Sequence, residues 1–175
     1  MIDDLSLRSR SRWAARICLL VAILLPPSIV GAWIFLGPEA LIANVVDPAQ
    51  PLPQGMQLFA IVAVSLVAPV LVSFALLSAR RCFQSFAAGN WFDEDGARAL
   101  RRFGALYLAA SIFGLLLPAF LSVLVTLHYP EGQRVLAWGI STGRVLSALA
   151  GFMFWLIGDV LVRAAELAED NRQII

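Results

Sequence analysis

Four stretches of this sequence are so apolar that nothing else in a chain of 175 residues could cover them from water. Ile17 to Leu36, Met56 to Ala79 and Phe103 to Leu127 contain no charged residue at all. A helix rises about 1.5 Å per residue and a bilayer core is about 30 Å thick, so about 20 apolar residues make a span. All three runs reach that length. The fourth, Val145 to Gly158, holds only 14 uncharged residues between Arg144 and Asp159. Fourteen residues do not cross unaided. A span of about 145–162 must therefore carry Asp159, Arg144 or both to membrane depth.

Composition points the same way. The chain is 60% hydrophobic and only 14% charged, with a mean hydropathy of +0.82. A soluble domain carries about 25% charged residues. The first run is too long for a signal-peptide core and no Ala-x-Ala pattern follows it, so it is expected to stay in the protein. The net charge of +1 offers no basic footprint for nucleic acid, and direct binding to it is not expected.

Orientation follows from the arginines, which supply all 13 basic residues. Arg8, Arg10, Arg12 and Arg16 precede the first run. Arg80, Arg81, Arg98, Arg101 and Arg102 lie between the second and third, and Arg163 and Arg172 follow the fourth. Only Arg134 and Arg144 fall in the other two connections. Basic residues accumulate on the cytoplasmic side of membrane proteins. The expected fold is thus all-α, a four-transmembrane-helix bundle forming a single membrane domain over 1–175. Both termini are expected inside, and two hairpins enter from the cytoplasm.

Local signals refine the ends. The second helix should run past the membrane to Ala88 and stop at Gly89, which can take a left-handed cap. Trp91 and Phe92 should fold back toward the bundle. Asp93 suits the N-cap of the next helix, with Glu94 and Asp95 in its first turn, where the helix dipole favours negative charge. The segment 80–102 therefore reads as a structured cytoplasmic connection. Pro26, Pro27, Pro69 and Pro118 interrupt three of the spans, as prolines in membrane helices commonly do. The first outer connection is rich in proline, with a short element expected around Leu41 to Val46. The second holds a turn at Tyr129 to Gly132, with Tyr129 and Trp138 as interfacial aromatics.

The fourth run carries the remaining signals. Gly143, Ser147 and Gly151 recur at four-residue spacing, and Gly158 follows seven after Gly151. Small residues on one face let two helix backbones approach closely. The partner is expected within the chain, although a second copy could serve. Asp159 stands four residues before Arg163, the spacing of an intrahelical ion pair. An ionisable residue in a span is also a functional candidate, here for protons or cations. Its position near the inner boundary favours the structural pair.

Catalytic chemistry is hard to build from these residues. His128 is the only histidine, and Cys18 and Cys82 form no metal-binding spacing. No HExxH, GxSxG or Gly-rich phosphate loop occurs. The chain is not expected to be an enzyme or to hold a metal or cofactor.

The segment Phe86-Ala-Ala-Gly89-Asn-Trp-Phe92-Asp-Glu-Asp95 and the closing Ala164-Ala-Glu166-Leu-Ala-Glu169-Asp170-Asn171-Arg-Gln-Ile-Ile carry a resemblance. They are similar to motifs of the uncharacterised bacterial four-span family called domain-of-unknown-function family 2975. The likeness runs end to end. It departs at Ala164-Ala165, where a glycine is common, and at Asp170-Asn171, where the order is reversed. The resemblance implies a bacterial inner-membrane protein, and a small cytoplasmic helix-turn-helix regulator as partner. The leading expectation is a membrane component acting through protein or lipid contacts. Its contact surface would be Arg80 to Arg102 with Arg163 to Ile175. The alternative is a small transporter or channel subunit using kinked helices and Asp159.

Overall fold

The computed structural model describes residues 2–42, 55–89, 94–127, 136, 139 and 141–173, and all of its secondary structure there is helical. Four helices follow in order: α1 (Ile2–Ile42), α2 (Met56–Ala88), α3 (Glu94–Thr126) and α4 (Thr142–Gln173). Each is long and apolar enough to cross a membrane. This includes α4, whose most apolar window has a mean hydropathy of 2.1. The short uncharged run is thus no obstacle, because the helix extends beyond it on both sides.

The helix ends answer to local chemistry. α2 stops where Gly89 takes φ 91° and ψ 6°, and the Gly89 N–H donates to the Phe86 carbonyl at 3.1 Å. Left-handed φ is open to glycine at little steric cost. α3 starts with Glu94 and Asp95 in its first turn, where the dipole favours them. Most of the segment 80–102 is therefore helix. Trp91, Phe92 and the expected cap Asp93 lie outside the described residues. α1 is broken at Gly37, with φ 75° and ψ 162°, and helix resumes to Ile42. The rest of the expected element at Leu41 to Val46 lies outside the described residues, as do Tyr129, Trp138 and the turn at Tyr129 to Gly132. α2 and α3 run through Pro69 and Pro118 without ending.

The helices pack antiparallel and in chain order, α1 on α2, α2 on α3 and α3 on α4. Among the described residues no close backbone approach joins α1 to α4, so the bundle is open and serial. The packing is inside out compared with a water-soluble protein. Ala15, Ala22, Ala75, Ala79, Ala97, Ala99 and Ala110 are buried, whereas Phe35, Phe59, Phe74, Phe120 and Phe152 are exposed. Lipid tails solvate large apolar side chains, and small residues between helices let backbones come close. This pattern is that of a multi-pass membrane protein.

Candidate interaction site at the charged end

Antiparallel packing gathers the start of α1, the end of α2, the start of α3 and the end of α4 at one end of the molecule. Arg8 of α1 lies over Gly89, so close that a Cβ there would come within 2.7 Å of its guanidinium. The guanidinium thus sits at the negative end of the α2 dipole, where a cation is stabilised. On α3, Arg98 pairs with Glu94 one turn earlier and with Asp95 at 3.3 Å.

Between α3 and α4 a glycine seam brings the charges together. A Cβ on Gly158 would fall 2.5 Å from the Arg101 nitrogen, and one on Gly151 would fall 2.7 Å from the Leu108 nitrogen. Gly104 of α3 answers from the other side, directly against the backbone of Phe154 and Trp155. Phe103 meets the Phe154 ring edge-on, with centroids 5.3 Å apart. The close approach belongs to Gly151, Gly158 and Gly104. Gly143 is near only Ser141, and the Ser147 hydroxyl donates back to the Gly143 carbonyl at 2.9 Å. The partner of the α4 seam is α3 of the same chain.

That seam sets Asp159 between two arginines. Its Oδ2 lies 3.2 Å from Arg163, as the i,i+4 spacing expects, and its Oδ1 lies 3.3 Å from Arg101 across the helix boundary. The Asp159 side chain is only 19% exposed, so the second guanidinium matters: both carboxylate oxygens are engaged in a place water reaches poorly. In the sequence Arg101 is one of five arginines between the second and third apolar runs, and nothing marks it as a partner of Asp159. Its pairing depends on how α3 is rotated against α4, and no spacing along the chain encodes that rotation.

A separate polar cavity of about 320 Å³ opens between α2 and α3. Ser78, Arg81 and Ser85 line it from α2, and Asp95, Arg98, Ala99 and Arg102 line it from α3. The α2 residues recur at three- and four-residue spacing, and on α3 Arg98 and Ala99 stand one turn from both Asp95 and Arg102, which places each set on one helix face. Among the described residues Arg81 and Arg102 form no ion pair.

The remaining candidate residues stand apart. Glu166 is exposed on α4, and Glu169, Asp170 and Asn171 continue that helix with side chains outside the described residues. Within the apolar part of the helices, hydroxyls donate to carbonyls of their own helix. Ser65 bonds Ile61, Ser73 bonds Pro69, Ser111 bonds Tyr107, Ser122 bonds Ala119 and Thr126 bonds Ser122. At the far end Gln57 donates to the Leu124 and Val125 carbonyls at 2.6 and 3.1 Å, tying α2 to the last turn of α3.

No family model, curated protein or solved structure matches this chain.

Proposed function

We propose that this protein is a bacterial inner-membrane component, not an enzyme, that works through contacts made at its charged end. Both termini and the α2–α3 connection face the cytoplasm in this reading. The motifs at Phe86 to Asp95 and Ala164 to Ile175 support membership in the uncharacterised four-span family they resemble. They also support a small cytoplasmic helix-turn-helix regulator as the protein partner. The observation that carries the proposal is the polarity of the molecule. Among the described residues, Arg81 and Arg102 have no carboxylate partner at one end, while hydroxyls in the apolar region bond within their own helices. Asp159, held by Arg101 and Arg163, serves as a clamp between α3 and α4 and not as a carrier of protons or cations.

The test is in-membrane crosslinking of the full chain, with identification of the partner and of the linked positions. Crosslinks to a cytoplasmic protein at 80–102 or 163–175 are expected. Crosslinks confined to the connections at 43–54 and 128–141 would contradict the proposal. Ion flux in proteoliposomes that disappears in Asp159→Asn would establish the transporter reading in its place.

A further inference from the structure

The α2–α3 cavity has a position and a charge that define its ligand more narrowly than contact with lipid or protein. Ser78 belongs to the last turn of the uncharged α2 run, and Arg102 directly precedes the uncharged α3 run that begins at Phe103. The cavity therefore lies where apolar helix gives way to charged helix, which is the level of lipid phosphates if the helices span a bilayer. Its walls present three guanidinium groups against one carboxylate. That carboxylate, Asp95, is already paired with Arg98, which also holds Glu94. Arg81 and Arg102 approach from opposite helices, and among the described residues no acid neutralises either.

Arg81 and Arg102 line one cavity from facing helices and give it an excess of positive charge, which an anion neutralises. A guanidinium presents a planar fork of donors that matches two oxygens of a phosphate. A water molecule takes about 30 Å³ of liquid volume, so a space of about 320 Å³ holds a phosphate group together with the ester carbons attached to it. Basic pockets between membrane helices on the cytoplasmic side commonly take anionic headgroups.

We infer that the cavity between α2 and α3 is a phosphate-binding site in which Arg81 and Arg102 clamp one phosphate group from opposite sides. Arg98, steadied by Glu94 and Asp95, forms the third wall. The inference deepens the proposed role of the charged end and rests on that end being the working surface. The phosphate could belong to an anionic phospholipid or to a soluble ion, and the chemistry of the clamp is the same for both.

The test uses the purified full-length protein with two ligands. One arm titrates inorganic phosphate against protein in neutral detergent and reads calorimetric binding. The other reads phosphatidylglycerol retention by native mass spectrometry, from nanodiscs of phosphatidylcholine with and without phosphatidylglycerol. The double variant Arg81→Gln/Arg102→Gln should weaken whichever ligand binds by about tenfold or more, the loss expected when charge-assisted hydrogen bonds are removed. Arg10→Gln/Arg12→Gln removes the same charge from α1 and should leave binding unchanged. Arg81→Lys/Arg102→Lys keeps the charge and loses the fork. It should retain the fold and bind at an intermediate level. This variant keeps the inference testable if the glutamine pair does not fold.

Retention of phosphatidylglycerol without phosphate binding assigns the site to a lipid headgroup, and binding in both arms assigns it to phosphate in general. Equal loss in the α1 control would mean that unspecific charge attraction is responsible, and the inference would fall. Absence of both ligands from wild type would overturn it as well. Partner crosslinking on the same variants separates the two ideas. A partner retained by a protein that binds neither ligand would sink the phosphate clamp and leave the broader function standing.

Discussion

The two ends of this molecule solve the same problem with different chemistry. Each must hold neighbouring helices together where their backbone ladders run out. At the charged end the fastening is ionic and very close: Asp159 between Arg101 and Arg163, with Gly158 against the Arg101 backbone. At the opposite end it is neutral and dry. There Ile61, Ser122 and Val125 are fully buried, with Trp33, Leu121 and Leu124 packed around Ile61 and Val125. Gln57 supplies the polar link, donating to carbonyls that the end of α3 leaves open. The contrast teaches that one bundle can be fastened by two kinds of polar contact: charged groups join α3 to α4 at one end, and among the described residues a neutral amide joins α2 to α3 at the other.

The largest effect should come from the seam that supports the ionic end. Gly158→Leu forces a side chain into the α3 backbone and should cost about 3 kcal/mol, the upper part of the usual overpacking range. Melting of the detergent-solubilised protein measures it. Gly114→Ala, at a position with no atom within 4 Å of the added Cβ, should melt like wild type. Equal melting of Gly158→Leu and wild type would dissolve the distinction between the ends.

At the dry end, Ile61→Ala should cost about 2 kcal/mol, the low end of the range for such truncations. Detergent already solvates the side chain in the separated helices, so the cavity term dominates. A variant as stable as wild type would mean that the apolar cluster is not a fastening.

The polar links rank below these. Gln57→Leu should cost about 1 kcal/mol, because α3 carbonyls lose their donor while the chain keeps its volume. Arg101→Ala should cost up to about 1 kcal/mol and Arg163→Ala less, since the Arg163 side chain is 76% exposed and the Arg101 side chain 48%. A double-mutant cycle between Asp159 and each arginine checks the order. Stronger coupling to Arg163 would show that Asp159 serves its own helix and not the α3–α4 join.

What was legible in the sequence depended on whether a single helix encodes it. The end of α2 at Ala88, its stop at Gly89, the acidic first turn of α3 and the Asp159–Arg163 pair all rest on spacing within one helix or on one residue's backbone freedom. The open, serial arrangement and the Arg101–Asp159 contact rest on how helices rotate against one another. A run of alternative apolar faces leaves that rotation open. The small-residue stripe on α4 shows the boundary between the two cases. Gly151 and Gly158 mark the contacting face, but Gly143 and Ser147 extend the same pattern beyond the close contact with α3. Gly104 gives no such stripe, because the residues one turn away on either side are Leu100, Arg101, Tyr107 and Leu108.

The proposed function places the ionic end in the cytoplasm. Reporter fusions test this most directly. Fusions at the N-terminus, at Asn90 and at Ile175 should be active as cytoplasmic reporters, and fusions at Ala49 and Glu131 should be active as exported ones. An exported signal from Asn90 would contradict both the four-span topology and the assignment of the arginine-lined end to the cytoplasm.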